Sequence, residues 1–237
     1  MTTRRDQVPF DPYYFERLAR QGVSYSPREA FDYIHRSRHW AGKESASGEG
    51  SGQDQTARLR AALPELLREF ETDTLLDLPC GDFSWMRQLA LPVARYVGAD
   101  LLPALITQHQ ARYADHRHRF LVLDLTVDPL PRADLLLCRD CLVHLSFADV
   151  ARALANIKRS GIDCLLTTTF PGCDQNEDVV TGDWRPLNLE RPPFNFPPPL
   201  RLMNEGCTES RGAFGDKSLG LWLVGQLPAL DLAASRT

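Results

Sequence analysis

A chain of 237 residues with 43% hydrophobic and 24% charged residues has the composition of one globular domain, and its length leaves little room for two. Its formal net charge is −4 without a long basic run, which argues against a nucleic-acid partner because proteins that bind a polyanion usually present a basic face. The first residues are mixed and charged, and no run of about 18 apolar residues occurs, so we expect a cytoplasmic protein without a membrane partner.

The region before residue 55 combines a helical pattern with a polar loop. Residues 27–40 place Phe31 and Ile34 on one side, with His35 beside them, which predicts a helix. Residues 42–53, GKESASGEGSGQ, are dense in Gly and Ser. Such a stretch is either a flexible linker or an ordered functional loop, and a resemblance described below favours the loop.

Helical stretches and short apolar runs alternate after that loop. The predicted helices cover residues 56–70, 83–90, 102–114 and 146–160, although Pro64 weakens the first one locally. The predicted strands cover residues 74–78, 96–100, 119–125, 133–140, 163–170 and 219–227, whereas residues 171–199 are loop-like. Strands that are apolar on both faces and alternate with helices indicate an α/β fold with a doubly wound parallel sheet.

Three successive predicted strands end in an aspartate, namely Asp77, Asp100 and Asp124. In an open parallel sheet, ligands bind at the carboxyl ends of the strands, and a carboxylate that closes the second strand can accept both hydroxyls of a ribose. Gly81 in the first turn has no Cβ atom and lets a ligand approach the backbone. Carboxylates tolerate a sulfonium and an ammonium group but repel a pyrophosphate, and the turn lacks the G-x-G-x-x-G pattern of dinucleotide sites. The residues therefore favour S-adenosylmethionine over a nicotinamide cofactor, although each aspartate alone is also typical of a helix cap or an Asx-turn.

The segments LLDLPCGDFSWM, YVGADLL, FLVLDLT and LLLCRDCLVHLS occur in that order within residues 55–170. In sequence and order they resemble the class I S-adenosylmethionine-dependent methyltransferases. The resemblance implies a Rossmann-like, mostly parallel seven-stranded sheet, with S-adenosylmethionine as the cofactor and S-adenosylhomocysteine as its product. One departure is that Pro79 and Phe83 stand where glycines are more common in the first turn.

The resemblance also implies roles for individual residues. Asp77, Cys80 and Gly81 would hold the methionine part of the cofactor, and Asp100 would bind its ribose. The adenine would lie between two leucines and meet an aspartate at its exocyclic amine, and these residues are Leu101, Leu125 and Asp124. Arg139, which follows the fourth strand, is a further expected cofactor contact that could also line the acceptor site.

A narrower resemblance lies outside that core. The loop WAGKESASGEGS together with PPFNFPPP and DKSLGLW is similar to a subgroup of bacterial methyltransferases of largely unassigned substrate. It implies that the loop covers the cofactor, with contacts from Trp40, Ser47 and Gly48. The expected organisation is thus an N-terminal helical extension with this loop, residues 1–54, and a methyltransferase domain, residues 55–237.

The acceptor site is expected in an insertion around residues 171–215, where the Pro-rich segment 192–199 would form the rigid edge of a lid rather than a ligand for an SH3-type domain. Its predicted substrate contacts are Trp184, Arg185, Asn188 and Lys217. Arg185 and Lys217 would suit an acidic acceptor such as a phosphate, a carboxylate or a uronate.

The fourth strand runs into a candidate catalytic pair. Asp140 and His144 are four residues apart and would share one face of a helical turn, where the aspartate could orient the ring of a general base. The alternative is that His144 is a hydrogen-bonded core residue. Cys138 and Cys141 have the spacing of a zinc-binding pair, but no second pair completes a site, so no metal is expected.

Three functions remain open at this stage. The first is an enzyme that methylates an oxygen or nitrogen of a small molecule, with a sugar or a phosphorylated sugar as one candidate. The second is a protein or peptide N-methyltransferase, which would need an open acidic groove. The third is a catalytically silent, methyltransferase-like partner subunit, against which the intact set of three aspartates argues.

Overall fold

A computed structural model of the chain describes residues 4–40 and 44–230. Residues 41–43 of the predicted cofactor-covering loop therefore lie outside the described residues, as do residues 1–3 and 231–237 of the two predicted units. The predicted boundary at residues 54 and 55 falls inside the first turns of a helix that begins at Gln53.

The sheet has seven strands in the order β3-β2-β1-β4-β5-β7-β6. Their bounds are Thr74–Asp77 (β1), Arg95–Asp100 (β2), His118–Val122 (β3), Leu135–Cys138 (β4), Cys164–Thr169 (β5), Arg201–Asn204 (β6) and Ser218–Leu223 (β7). Strands β1 to β5 are parallel, and β7 is antiparallel to both β5 and β6. This arrangement confirms the expected Rossmann-like, mostly parallel seven-stranded sheet. The sequence pattern missed β6, a largely exposed edge strand that follows the Pro-rich segment and carries no apolar run.

The α-helices of the core follow the predicted alternation, with one exception. Their bounds are Tyr14–Arg20 (α1), Pro27–Ser37 (α2), Gln53–Glu69 (α3), Pro103–Tyr113 (α4) and Phe147–Arg159 (α5), and α3 continues through Pro64. The helix predicted over residues 83–90 is wrong, because Phe83 adopts a left-handed φ of 58° and only a 3-10 turn, Met86–Gln88, forms. Within residues 4–40 and 44–230, no helix has the length and apolarity to cross a membrane.

Helices cover both faces of the sheet, because consecutive strand residues point to opposite sides. On one face, α5 packs on Leu76, Leu136 and Leu165. On the other face, α3 and α4 pack on Leu75 and Leu135. The parallel strands thus bring the carboxyl ends of β1, β2 and β4 together at one edge of a buried sheet, where a ligand site is expected.

The N-terminal helices form a small cluster of their own around Phe15 and Ile34. The cluster is attached to the rest of the molecule through the buried carboxylate of Asp183, which accepts hydrogen bonds from the backbone N–H groups of Phe15 at 2.8 Å and Glu16 at 2.9 Å. The N-terminal extension therefore docks on the segment between β5 and β6.

Candidate active site

The turn after β1 is shaped by a close backbone approach. Gly81 has a φ of 53°, and its N–H donates to Asp100 Oδ2 over 3.2 Å. A Cβ atom at this position would lie 2.5 Å from Ser47 Oγ, so the contact requires glycine. The imidazole of His109 in α4 supports the turn from behind, with Nε2 donating to the Gly81 carbonyl oxygen at 2.8 Å. The sequence analysis did not single out His109, whose pattern is that of any residue on the inner face of α4.

Two carboxylates are buried at the strand ends. Asp77 is 3% exposed, and burial raises its pKa to about 7 although the hydroxyl of Tyr96 donates to Oδ2 at 2.6 Å and opposes the shift. Burial also raises the pKa of Asp100, against hydrogen bonds from the N–H groups of Leu102 and Gly81. No basic side chain within the described ranges forms an ion pair with either group, so a cationic ligand would complement them.

Asp124 differs from the other two aspartates in position and in partners. Strand β3 ends at Val122, so Asp124 lies two residues beyond it. Asp124 Oδ1 accepts two hydrogen bonds from Thr126, one from the backbone N–H at 2.8 Å and one from the side-chain hydroxyl at 2.6 Å. The side chain thus forms the Asx-turn that was the local alternative, and it lines the cavity described below all the same.

The described part of the Gly/Ser-rich loop is bound to the turn after β1. Asp82 Oδ2 accepts hydrogen bonds from Ser45 Oγ at 2.7 Å and from the N–H of Ala46 at 3.0 Å. In return, the Asp82 N–H donates to Ser47 Oγ at 3.0 Å. Residues 44–51 are therefore an ordered cover rather than a free linker, and Asp82, which sequence reasoning missed, is the residue that holds them.

A cavity opens between this cover, helix α2 and the strand ends, and we call it the strand-end cavity. Its volume is about 1210 Å³ including the mouth that faces solvent, which is ample for a nucleoside-sized ligand. Ten of the eleven predicted cofactor contacts line it, namely Trp40, Ser47, Asp77, Cys80, Gly81, Asp100, Leu101, Asp124, Leu125 and Arg139. The eleventh, Gly48, lines a neighbouring cavity instead.

Helix α2 forms a wall of the strand-end cavity that the sequence analysis did not assign to the site. Phe31, Ile34 and His35 line the cavity from α2, and Arg28 donates to the carbonyl oxygen of Leu101 at 3.1 Å. The amphipathic pattern of residues 27–40 predicted the helix and its apolar side. It did not indicate that this side faces a cavity rather than a core, since apolar residues occur on a helix face in either environment.

The second cavity is walled by aromatic rings, and we call it the aromatic cavity. Its rings come from the N-terminal segment, from the cover and from the chain after β5, and they belong to Phe10, Trp40, Phe170, Trp184 and Phe214. Its volume is about 640 Å³ including the mouth. Four residues line both cavities, which makes them neighbours across a shared wall; they are Trp40, Ser47, Asp140 and His144.

A cluster of charges lies under the shared wall. Arg139 forms a buried ion pair with Glu205 at 2.7 Å, and Lys217 Nζ donates to Asp140 Oδ2 at 2.7 Å. Lys217 is also 3.7 Å from Glu209 Oε2. Burial opposes ionisation of Asp140, but Lys217 and Arg139 outweigh it and hold the pKa of that carboxyl well below its ordinary value. Glu205 and Glu209 were not predicted, because their sequence context is an unpatterned loop.

The expected pair of Asp140 and His144 does not form, which corrects the predicted geometry. Asp140 is engaged by Lys217 and Arg139, and the imidazole is held instead through Nδ1, which donates to the backbone carbonyl oxygen of Asp183 at 3.0 Å. Trp40 stacks on the ring with centroids 3.9 Å apart. Burial lowers the pKa of His144 to about 4 rather than raising its basicity, so the ring is neutral near pH 7 with a lone pair on Nε2.

The four predicted substrate contacts divide into two pairs. Trp184 and Lys217 line the aromatic cavity, whereas Arg185 and Asn188 line neither cavity. Arg185 is buried and donates to the carbonyl oxygens of Leu142 and Leu145. Asn188 donates to the chain at residues 171 and 173 in the same way. Arg185 thus ties the loop-like segment to the domain, and Asn188 joins two parts of that segment. The residue types in the sequence reveal neither role.

Comparison with known proteins agrees with this geometry. The family model described as "Methyltransferase domain" matches residues 75–160, which span β1 to α5. No curated protein sequence is significantly similar to the chain.

Solved structures similar to this chain include three methyltransferases or biosynthetic proteins. Human N-acetylserotonin methyltransferase, solved in complex with S-adenosylmethionine, is 16% identical with a TM-score of 0.52 over 92% of this chain and 63% of its own. The pyocyanin biosynthetic protein PhzM is 14% identical with a TM-score of 0.51 over 71% and 55%. The N-methyltransferase NodS from Bradyrhizobium japonicum WM9, in complex with S-adenosylhomocysteine, is 16% identical with a TM-score of 0.47 over 60% and 73%. The chain spans less than two thirds of the length of the first two, and the likeness is one of fold.

Proposed function

We propose that this chain, whose residues 75–160 match a methyltransferase-domain family model, is a class I S-adenosylmethionine-dependent methyltransferase that transfers the methyl group of its cofactor to an oxygen or nitrogen of a small molecule bound in the aromatic cavity. The observation that carries the proposal is the shared wall. Trp40, Ser47, Asp140 and His144 line both cavities, so ligands that fill the two would meet there.

The residues of the strand-end cavity fit the cofactor. The Asp100 carboxylate would accept the ribose hydroxyls, and the apolar side chains of Leu101 and Leu125 would flank the adenine. Asp77 is a buried carboxylate without a basic partner among the described residues, which suits the ammonium group of the methionine part. Gly81 lines the cavity at the turn where its N–H meets Asp100. When bound, the cofactor supplies an electrophilic methyl group on a sulfonium.

The side chains at the shared wall would position the acceptor and take its proton. His144 donates from Nδ1 to Asp183, and no described residue hydrogen-bonds to Nε2, which leaves that lone pair for a proton of the acceptor. Trp40 stacks on the ring and fixes its plane. We assign His144 the role of general base, and we assign Asp140, paired with Lys217, the role of a fixed negative charge beside it.

The shape of the aromatic cavity favours a small acceptor over a protein chain. Val8, Pro9 and Phe10 line it on one side, and the 44–51 cover lines it on another. A peptide substrate would need an open groove instead. The cationic contacts expected for a phosphorylated sugar are already engaged, Arg185 by carbonyl oxygens and Lys217 by carboxylates.

Calorimetric titration of S-adenosylhomocysteine into the full chain tests the proposal. The wild type should bind with a Kd near micromolar, about 8 kcal/mol. Asp100→Ala should bind at least about a hundredfold more weakly, because hydrogen bonds to a charged group contribute roughly 1.5–3 kcal/mol each. Asp163→Ala is the matched control, since Asp163 is an exposed residue directly before β5, at the opposite end of the sheet. The affinity of this variant for S-adenosylhomocysteine should equal that of the wild type.

The silent-subunit alternative predicts a different result. A folded wild-type sample, checked to be free of copurified ligand, would then show no binding of S-adenosylhomocysteine. That outcome would overturn the proposed function.

A further inference from the structure

The aromatic cavity is lined by aromatic rings and by acidic side chains. Trp184 and Phe214 pack edge to face with centroids 5.0 Å apart, and Phe170 packs on Trp184 at 6.1 Å. Phe10 and Trp40 complete the wall. Aromatic faces carry negative quadrupole density and attract cations, and such cages are a recurrent way to bind ammonium groups. These walls therefore suit a flat or apolar body that bears a positive charge.

The charges most accessible to a ligand in this cavity are negative. The carboxylates of Asp140 and Glu209 have side chains 28% and 23% exposed, whereas the cations Lys217 and Arg139 are only 7% and 5% exposed behind them. With Glu205 included, the cluster holds three carboxylates against two cations. The accessible oxygens thus present a net negative field to the cavity.

A further cation, Arg4, lies beside the aromatic wall and does not change this balance. Arg4 lies 5.9 Å from the ring centroid of Phe170 and 5.7 Å from that of Phe214, but its guanidinium is paired with the carboxylate of Asp216. Arg4 is not among the residues that line the cavity. Its position shows instead that these two rings already accept a cation on one side.

Unpartnered polar atoms mark the cavity as a ligand site. Ser210 Oγ and Trp40 Nε1 are buried and have no hydrogen-bond partner among the described residues, and both residues line the aromatic cavity. Buried polar atoms are usually paired, so a bound molecule would supply the missing partners. An ammonium N–H can donate to Ser210 Oγ, whereas the Trp40 Nε1–H needs an acceptor elsewhere on the ligand.

We propose that the methyl acceptor is a primary or secondary amine on a flat or apolar body, bound as its ammonium ion between the aromatic rings and the carboxylates of Asp140 and Glu209. The inference rests on the proposed function, because it names the substrate class of the same enzyme. One N–H proton of the ammonium leaves through Nε2 of His144 to solvent, which returns the ring to its neutral form and leaves the lone pair on nitrogen. That lone pair forms the new N–C bond as the C–S bond breaks, and the bonding electrons return to sulfur.

Three probes that differ only in their polar group test the charge preference. They are 2-phenylethylamine, 2-phenylethanol and 3-phenylpropanoate, each titrated into the full chain saturated with S-adenosylhomocysteine. The amine should bind at least about tenfold more tightly than the alcohol, and the carboxylate should bind most weakly. Glu209→Gln should weaken binding of the amine about tenfold and leave that of the alcohol unchanged. Glu65→Gln, an exposed position on α3, is the control and should change neither.

The saturation step separates failure of this inference from failure of the proposed function. If S-adenosylhomocysteine does not bind, the proposed function fails. If it binds and the amine is no better than the alcohol, or the carboxylate binds best, or none of the three binds at millimolar concentration, the amine assignment is overturned alone. Unchanged binding of S-adenosylhomocysteine by Glu209→Gln shows that this variant is folded.

Discussion

The strand-end cavity takes its polar residues from the ends of neighbouring strands, whereas the aromatic cavity is assembled from segments far apart in the chain. In the first, Gly81 is bonded to Asp100 across adjacent strand ends. In the second, Lys217 reaches Asp140 across 77 positions, and beside this cavity Arg4 reaches Asp216 across 212. Local backbone geometry thus builds the strand-end cavity, the proposed cofactor side, and long-range ion pairs build the aromatic cavity, the proposed acceptor side.

This difference predicts which side depends on charge for its stability. Backbone hydrogen bonds at the strand ends form with the sheet itself. The buried ion pairs of Arg139 and Lys217 join the chain next to β4 to the chain next to β7. They stabilise the fold only while both partners of each pair are charged, because removing one partner leaves a buried charge uncompensated.

The largest expected loss of stability is that caused by Lys217→Met. Removing this 7% exposed ammonium leaves Asp140 and Glu205 with Arg139 as their remaining cation, and we expect a loss of about 3–5 kcal/mol in the free energy of unfolding. Urea denaturation measures it. Arg36→Met on α2 removes an exposed ion pair with Asp32 and should cost less than about 1 kcal/mol.

A contrary result would change the role of Lys217. If Lys217→Met keeps its unfolding free energy and loses only affinity for an anionic acceptor, the lysine is a substrate contact as the sequence suggested. The comparison between the two cavities would then fail at its acceptor side.

A smaller effect is expected where the cover meets the strand-end turn. Gly81→Ala places a Cβ atom 2.5 Å from Ser47 Oγ at a φ of 53°, and we expect it to cost about 1–3 kcal/mol in the free energy of unfolding. In a Ser47→Gly background the steric part disappears, so the cost of Gly81→Ala should fall by roughly half. An equal cost in both backgrounds would show that the cover does not press on this turn.

The smallest expected effect is a proton released on cofactor binding. In the free protein, burial raises the pKa of Asp77 to about 7 from its ordinary 3.8, so its contribution to stability is fully present below about pH 4 and is lost as the pH rises to about 7. A bound ammonium favours the ionised carboxylate. Binding of S-adenosylhomocysteine at pH 6 should therefore release up to about one proton from this site.

Calorimetry in two buffers of different ionisation enthalpy measures that proton. Asp77→Asn, which cannot ionise, is the control and should show no release from this position. Equal proton release by the wild type and by Asp77→Asn would mean that the ammonium group does not lie beside Asp77.

The strand-end side was largely accessible from sequence because its signals are local. Buried strands are recognisable in a sequence as apolar runs. Asp77 and Asp100 are the last residues of two of these strands. What escaped were side chains whose partners lie elsewhere in the chain. Asp82 binds the cover from within the turn after β1, and His109 supports the same turn from α4. The pattern around neither residue indicates this.

For the acceptor side, the sequence indicated only which residue types could contact a substrate, not which of them do. Trp184 and Lys217, two of the predicted substrate contacts, line the aromatic cavity. Arg185 was predicted as a substrate contact on the same grounds, but it is buried and donates to carbonyl oxygens. A buried polar residue that ties down a loop and one that meets a ligand have the same sequence signature. The supposed pair of Asp140 and His144 failed for the same reason, since Lys217 and Asp183 reach them from distant segments.

A crystal structure of the chain grown with S-adenosylhomocysteine would test the central claim most directly. The account predicts the adenosine in the strand-end cavity, with the ribose on Asp100 and the sulfur at the wall formed by Trp40 and His144, leaving the aromatic cavity free for the acceptor. Density for the ligand inside the aromatic cavity, or a ribose without contact to Asp100, would contradict the division of the site into a cofactor side and an acceptor side.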